Sequence, residues 1–295
     1  MSKKDIQSLI AIIIILFIAT CLALAGSQGS VIILGGIPLF AFGVAIAFII
    51  QWIAFIPAYI KRTEMFFDLT GSLSYIIITI LSIVLSPEVD TRSILLMILV
   101  SIWTIRLGAF LFSRILKEGE DKRFKHIKQS FSRFLLAWTL QGLWVCFTLS
   151  TALAAITGEQ KKEFGIIGLI GLLIWIIGFG FEVLADYQKR KFRSVPENKG
   201  KFINSGLWSL SRHPNYFGEI LLWIGIAIIA LPTLQGWRWL TLISPVFVTL
   251  LLTKISGIPL LEKHANEKWG GQEDYEEYKN STPVLIPKII KVRYK

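Results

Sequence analysis

The amino-acid sequence predicts an all-α, polytopic helical membrane protein with seven to eight transmembrane helices and a C-terminal interfacial helix. Two observations favour this class. Of the 295 residues, 54% are hydrophobic and 17% are charged, and the apolar residues form runs near the length of about 20 residues that crosses a bilayer as a helix. The Lys and Arg residues also gather on alternate connections between these runs, as the positive-inside rule expects. We therefore expect 1–295 to form a single integral membrane domain.

Eight apolar runs carry this prediction, namely 8–25, 31–60, 69–86, 93–113, 134–156, 164–185, 216–231 and 237–261. The second run contains Pro38 near its start, so we expect this helix to be kinked or tilted. The seventh is short for a lipid-exposed helix, and we expect it inside the bundle. Residues 1–30 form either an extra N-terminal helix or a signal-like segment, because Lys3 and Lys4 precede an apolar run. After Leu261 the chain becomes polar and aromatic, which is typical of a helix at the interface.

The distribution of the 31 Lys and Arg residues predicts the orientation. With the N-terminus in the cytoplasm, Arg106 lies within a span, nearly all other bases lie on inner connections, and the outer ones hold only Arg92, Lys161, Lys162 and Arg238. We therefore predict a bacterial inner (cytoplasmic) membrane protein whose charged motifs face the cytoplasm. The net charge of +11 is then a basic rim at the membrane surface, and we expect no nucleic-acid partner.

The stretch 182–219 concentrates polar residues that membrane proteins usually keep for function. Glu182 and Asp186 lie one helical turn apart, and Arg193 follows on the same face if the helix continues. Carboxylates that accept ribose hydroxyls, beside an arginine for phosphate, would suit a nucleotide. Alternatively, the two carboxylates only neutralise the neighbouring bases.

The motif SRHPN, residues 211–215, starts a second helix. Proline suits the first helical position, the free N–H groups there attract anions, and Arg212 strengthens that attraction. Asn215 and Glu219 are four residues apart and share a helix face. Together with the acidic pair upstream, this pattern predicts a pocket for a large anionic cofactor that bears sugar hydroxyls.

The N-terminal half offers fewer candidates. Arg106 interrupts an apolar run and should face inward, and Arg114 lies two turns later. Asp68 is either a helix N-cap or a catalytic acid. The three histidines are far apart, the two cysteines are isolated, and no Walker, GxGxxG, HExxH or GxSxG motif occurs. We therefore predict no metal site and no soluble-enzyme cofactor motif.

At these residues the chain resembles the steroid 5-alpha-reductase superfamily of membrane enzymes, especially its bacterial branch. The similar stretches are RTEMFFDLTGSLSY, SIWTIRLGAFLFSRIL, FEVLADYQKRKFRS, LWSLSRHPNYFGEI and the ending from KISGIPLLEKH to STPVLIP. The resemblance implies substrate-side helices within 61–156 and a half that binds NADPH, 164–295. The expected cofactor contacts are Arg106, Arg114, Glu182, Asp186, Arg193, Arg212, His213, Asn215, Tyr216, Glu219, Tyr275 and Tyr278.

The reaction that this resemblance implies is hydride transfer from NADPH to an activated carbon–carbon double bond of a lipid, either steroid-like or an enone or enoyl compound. We expect Asp68, if burial keeps it protonated, and Tyr75 to donate to the substrate carbonyl. Two positions depart from the steroid-specific members. Glu182 stands where some of them have asparagine, and Trp103 stands where they have a tyrosine that polarises the ketone.

Two alternatives belong to other classes. The RHPxYxG element and a tail with Glu262, Tyr275, Tyr278 and Pro283 also resemble isoprenylcysteine carboxyl methyltransferases, which use S-adenosylmethionine. That cofactor has no phosphate and would not need two arginine-rich loops. In the steroid-specific members a glutamate acts with the tyrosine that polarises the ketone, and no glutamate aligns near Gln51 and Trp52 here. The absence of this pair favours the second alternative, a non-catalytic lipid-binding membrane protein. The expected partners are a lipid substrate and membrane lipids, and the sequence does not indicate an oligomeric state.

Overall fold

The structure is a computed structural model that describes residues 2–288. Eight helices in this range are long and apolar enough to cross a membrane, which confirms the predicted polytopic helical fold. The chain divides into two compact units. Unit 1 contains Met1–Gly168 and Ile229–Ser244, and unit 2 contains Leu169–Ile228 and Pro245–Lys295.

The α-helices follow one another along the chain with little strand between them. They are α1 (Lys3–Gly26), α2 (Leu39–Ile60), α3 (Phe67–Val84), α4 (Thr91–Glu118), α5 (Phe131–Thr157), α6 (Ile166–Ser194), α7 (Pro214–Ala230), α8 (Ile243–Leu250), α9 (Ile258–Trp269) and α10 (Glu273–Ser281). Two short strands, β1 (Ile32–Ile33) and β2 (Ile37–Pro38), pair antiparallel before α2.

Helix α5 is the centre of unit 1. It packs against α1, α2, α3 and α4, and buried residues occur along its whole length. Near its end, the hydroxyls of Ser150 and Thr151 donate to the carbonyl oxygen of Thr241 at 2.7 and 2.5 Å. These two hydroxyls are therefore paired within the apolar interior, where an unpaired polar group is unfavourable. An apolar cluster near the start of α5 consists of Phe55, Ala58, Phe124, Phe134 and Trp138.

The second predicted run, 31–60, is not one helix. Residues 31–38 form the β1–β2 turn, in which Gly35 and Gly36 have φ angles of 81° and 77°, a region that glycine enters without a steric penalty. Helix α2 then begins at Leu39, whose N–H donates to the carbonyl of Val31 at 2.8 Å. Pro38 precedes the helix instead of kinking it, so the expected kink is wrong.

The eighth predicted run, 237–261, is also broken. It contains a 3₁₀ turn (Gly236–Leu242), α8, a π-helical turn (Leu251–Ile255) and the first residues of α9. The N–H groups of Ser256 and Gly257 both donate to the carbonyl of Leu251. The sequence predicted a continuous helix because this stretch is apolar throughout, but Gly257 and Pro259 end one helix and start the next.

Helices α6 and α7 are in backbone contact in unit 2. Gly178 faces the backbone of Gly218, and Gly225 faces that of Gly171. Glycines permit this approach because they have no side chain to separate the helices. Helix α7 begins at Pro214, also as predicted.

Candidate functional site

Unit 2 contains a cavity of about 520 Å³ with strongly basic walls. It lies between the end of α6, the loop from 195 to 213, α9 and α10. Among the described residues that line it, Glu262 is the one carboxylate. Six bases oppose it: Lys189, Arg193, Lys199, Lys201, Arg212 and Lys268. A cavity with this balance attracts anions.

Aromatic rings form the apolar part of the cavity wall. Phe202 stacks on Tyr278, with ring centroids 5.4 Å apart and planes at 29°. The edges of Tyr275 and Trp269 meet the same ring at 5.3 and 5.9 Å. Such a cluster offers a flat apolar surface on which another ring can stack.

Hydrogen bonds fix the loop that carries these rings. The indole N–H of Trp208 donates to the carbonyl of Ala185 on α6 at 3.0 Å. The hydroxyl of Tyr278 donates to the carbonyl of Trp208 at 2.7 Å, and the indole of Trp269 donates to the carbonyl of Gly200 at 2.5 Å. The cavity wall is therefore held by α6, α9 and α10 before any ligand binds.

Glu262 joins two cavity residues at the start of α7. Its Oε2 lies 3.0 Å from Nη1 of Arg212, and its Oε1 lies 2.7 Å from Nε2 of His213. Because a carboxylate only accepts, Nε2 of a neutral His213 carries the proton. Nδ1 is then an acceptor, and it has no partner among the residues that the structure describes.

Burial lowers the pKa of His213 below its usual value, and the nearby Lys189 and Arg212 act in the same direction. The hydrogen bond and the negative charge of Glu262 oppose this shift without cancelling it. His213 is therefore neutral at pH 7. Burial also raises the pKa of the phenols of Tyr275 and Tyr278, which stay protonated donors.

The segment 282–288 pairs with the chain just before α7. The N–H of Arg212 donates to the carbonyl of Pro283 at 2.9 Å, and the N–H of Lys288 donates to the carbonyl of Leu210 at 2.9 Å. The buried hydroxyl of Ser211 donates to the carbonyl of Leu285 at 2.7 Å. This segment fixes the backbone that presents Arg212 and His213 to the cavity.

The cofactor residues that the sequence predicted in unit 2 fall into two groups. Arg193, Arg212, His213, Tyr275 and Tyr278 line the cavity. The others belong to α6 and α7 and are not among its lining residues: Glu182, Asp186, Asn215, Tyr216 and Glu219.

The second group forms a polar layer on α6 and α7. Glu182 is only 3% exposed, and the amide of Asn215 donates to Oδ1 of Asp186 at 3.2 Å. The ring of Tyr216 stacks on that of His213, with centroids 5.7 Å apart. Because α6 continues to Ser194, one helix carries Glu182, Asp186 and Arg193, as the sequence predicted.

The remaining predicted residues lie in unit 1. Asp68 is in the first turn of α3, and its Oδ2 lies 3.6 Å from Nη2 of Arg114 on α4. The N-cap position of α3 is Phe66, so the N-cap interpretation of Asp68 is wrong. Tyr75 is buried, with its ring edge-on to that of Trp103 at 5.4 Å. Arg106 lies on α4 and is half-buried.

Charged groups hold the loop that follows α4. Oε1 of Glu64 accepts the N–H of Asp121 at 2.8 Å, and its Oε2 lies 2.9 Å from Nζ of Lys128. Partial burial raises the pKa of Asp121, but the hydrogen bonds from Arg123 and the positive charges of Arg123 and Arg114 together lower it overall. Asp121 is therefore charged at pH 7.

Several cavity residues were not predicted from the sequence. Phe202, Trp208, Trp269 and Lys189 were not among the expected cofactor contacts, although the last three lie within the stretches that resemble the family. Glu262 was noticed only as part of the tail pattern. The signal for them was weak: aromatic residues alternate with bases in the loop and in the tail. Only the tertiary fold shows that the loop and the tail share one cavity.

Comparison with known proteins shows the family. A model of the family described as "Protein of unknown function (DUF1295)" matches residues 54–282, which is most of the chain. The chain belongs to this family. Its curated relatives place the family in the steroid 5-alpha-reductase superfamily, which confirms the predicted resemblance. No solved structure matches the chain.

Three relatives show the range of the superfamily. The chain is 27% identical over 122 residues to a 3-oxo-5-alpha-steroid 4-dehydrogenase 1 of Bos taurus, a match that covers 41% of the chain and 42% of the relative. It is 29% identical over 121 residues to a very-long-chain enoyl-CoA reductase of Dictyostelium discoideum, covering 41% and 36%. It is 29% identical over 109 residues to a probable O-methyltransferase of Ustilaginoidea virens, covering 31% and 38%. The matches therefore span less than half of each relative.

Proposed function

We propose that this integral membrane protein is an NADPH-dependent reductase that transfers a hydride to an activated carbon–carbon double bond of a lipid. The observation that carries the proposal is the cavity of unit 2, in which six bases and an aromatic cluster oppose a single carboxylate. Relatives named as a steroid dehydrogenase and an enoyl-CoA reductase support the reaction class.

The residues of the cavity fit the parts of a phosphorylated dinucleotide. Arg193 and Arg212 would bind phosphate oxygens, since a guanidinium presents paired N–H donors that match them. The ring of Phe202 and its neighbours would hold a base by stacking. Nδ1 of His213 is a buried acceptor without a donor among the described residues. It would accept a hydrogen bond from an N–H group of the ligand.

NADPH supplies the hydride when it is bound, and the protein supplies binding, orientation and the proton donor. Arg212 is already oriented by Glu262 and by the backbone bond to Pro283. The rigid aromatic wall would exclude water from one side of the bound cofactor. The polar layer with Glu182, Asp186 and Asn215 would stabilise α6 and α7 around the cavity or accept sugar hydroxyls.

On the substrate side, we propose Asp68 and Tyr75 as donors to the lipid carbonyl. Oδ2 of Asp68 lies 3.6 Å from Nη2 of Arg114, and the proposed role requires the protonated form of Asp68. Tyr75 can donate directly, because a phenol is protonated at neutral pH. The apolar, lipid-facing surfaces of the spans would admit a lipid substrate from the bilayer.

We further propose that the protein lies in a bacterial inner membrane with the cavity on the cytoplasmic side. The crowding of bases on alternate connections supports this orientation. NADPH is a cytoplasmic compound, so a cavity on that side would have direct access to it.

A methyltransferase is the second candidate, because one relative is named as a probable O-methyltransferase. S-adenosylmethionine carries one carboxylate and no phosphate, so most of the six bases of the cavity would have no anion to bind. A non-catalytic lipid-binding protein is the third candidate, and a cavity with cofactor affinity would argue against it.

The test is equilibrium binding of NADPH, NADH and S-adenosylmethionine to the detergent-purified protein and to an Arg193→Ala variant. We expect NADPH to bind, and the variant to bind it about tenfold to a hundredfold more weakly, because a hydrogen bond to a charged group contributes about 1.5–3 kcal/mol. Lys191→Ala is the matched control, since Lys191 is an exposed base on the same helix that does not line the cavity. Binding of S-adenosylmethionine alone would contradict the reductase and favour the methyltransferase.

A further inference from the structure

Three buried or half-buried bases meet at one end of unit 1, outside the cavity of unit 2. Helices α1, α3 and α5 end here, and α2 and α4 begin here. The bases are Arg92, Lys161 and Arg238. They are three of the four bases that the charge pattern predicts on the outer side, and the fourth, Lys162, is exposed.

Arg92 is an ordinary structural arginine. It is 1% exposed, and its Nη1 and Nη2 donate to the carbonyls of Lys162 and Glu163 at 2.6 and 2.7 Å. Nη1 also lies 3.8 Å from the carboxylate of Asp90. These contacts fix the loop between α5 and α6 and use both terminal nitrogens of Arg92, so that only Nε lacks an acceptor among the described residues.

Arg238 differs in that two of its three guanidinium nitrogens have no acceptor in the part of the chain that the structure describes. The side chain is 3% exposed, and its guanidinium lies against the backbone of Gly158 at the end of α5. Nε and Nη2 have no acceptor among the described residues. A buried guanidinium without acceptors costs free energy unless an anion or water satisfies it.

Lys161 adds a second charge, and no carboxylate of the described residues forms an ion pair with it. Its Nζ donates to the carbonyl of Ile156 at 2.8 Å and lies 3.4 Å from the hydroxyl of Ser93. Burial is the main cause that lowers the pKa of Lys161. The charges of Asp90 and Glu88 raise this pKa and those of Arg238 and Arg92 lower it, so all four groups lie near Lys161.

Two tryptophans indicate the depth of this cluster. Trp237 and Trp239 flank Arg238 in the sequence and are 67% and 49% exposed. Exposed tryptophans are enriched where a membrane protein passes through the headgroup layer. The cluster is therefore placed where phosphate groups of lipids occur.

We propose that Arg238 and Lys161 bind a phosphate-type oxyanion at this end of unit 1, either the headgroup of an anionic lipid or a free phosphate. The anion would accept hydrogen bonds from the N–H groups of Arg238 that have no acceptor among the described residues. This site is independent of the proposed reductase activity, since none of its residues lines the cavity of unit 2.

The test measures the thermal unfolding midpoint of the detergent-purified protein by tryptophan fluorescence. One arm titrates phosphatidylglycerol in mixed micelles against phosphatidylcholine, and the other titrates inorganic phosphate at constant ionic strength. We expect a saturable rise in the midpoint for the wild type. For Arg238→Gln and Lys161→Gln, the lipid concentration that gives half of the maximal rise should be at least tenfold higher. Lys162→Gln is the matched control, because it removes one exposed charge from the same loop.

The two arms distinguish the source of the anion. A rise with phosphatidylglycerol alone supports a lipid headgroup, and an equal rise with inorganic phosphate supports a soluble anion. If Arg238→Gln does not yield folded protein, the comparison of Lys161→Gln with Lys162→Gln decides. The proposal is overturned if neither anion raises the midpoint, or if all variants respond as the wild type does. The bases would then only bind the loop carbonyls and the end of α5.

Discussion

His213 combines burial, a carboxylate partner and a position at the cavity. Its Nε2 forms a hydrogen bond with Glu262, which also forms an ion pair with Arg212. Removing one member of a buried charged pair usually costs more than the pair contributes, because the other member stays desolvated. Glu262 therefore holds both cavity residues in place.

This arrangement predicts a pH dependence of stability. Because the pKa of His213 in the folded protein is lower than the unfolded value of 6.5, the unfolded state binds more protons below pH 6.5. Stability should therefore fall as the pH falls through that value, by up to about 1.4 kcal/mol per pH unit while His213 stays neutral. In a series of thermal unfolding midpoints from pH 7.5 to 5.5, His213→Asn should lose part of this dependence.

His264→Asn is the control for this series, since His264 is an exposed histidine that also lines the cavity. Its substitution should leave the pH dependence as in the wild type. Equal slopes for the wild type and His213→Asn would show that His213 does not contribute, and the account of its burial would be wrong.

At the scale of elements, the contact between α6 and α7 depends on glycines. A Cβ at Gly218 would meet the backbone of Gly178 and Glu182, which cannot move aside as a side chain can. We expect Gly218→Ala to destabilise the protein by about 1–3 kcal/mol, as overpacking does in other cores. Chemical or thermal unfolding in detergent would measure the loss.

Gly180 provides a matched control on α6. A Cβ there has no atom within 4 Å, so Gly180→Ala should be neutral or stabilising, because alanine favours a helix by about 0.8–1 kcal/mol over glycine. If Gly218→Ala were as stable as Gly180→Ala, the close contact of α6 and α7 would be refuted.

The elements also show what could be predicted from the sequence. Hydrophobic run length predicted the eight spans, because lipid requires long apolar helices. The interruptions at 31–38 and 251–257 were missed, because glycine-rich turns and a π-helical turn can occur inside an apolar run without changing its hydropathy. The start of α7 was predicted from Pro214, whose effect on the backbone is local.

At the scale of the whole molecule, the candidate site was predicted in part. Arg193 and Arg212 were singled out because charges beside membrane spans are costly and thus informative. Phe202, Trp208 and Trp269 were not, because aromatic residues are common in such chains and their meeting depends on the tertiary fold. Glu182 and Asp186 were predicted to contact the cofactor but do not line the cavity. Their spacing shows that they share a helix face, but it does not show which part of the protein that face packs against.

The central claim is that this membrane protein transfers a hydride, and deuterium transfer tests it most directly. The purified protein would be incubated with NADPH deuterated at the transferred position and with two probes, a trans-2-enoyl-CoA and a 3-keto-4-ene steroid. We expect one saturated product to gain one deuterium on carbon, detected by mass spectrometry, with Arg193→Ala slower and Lys191→Ala unchanged. The account is contradicted if NADPH binds neither the free protein nor the protein with a probe bound, while S-adenosylmethionine binds and its methyl group is transferred to a lipid.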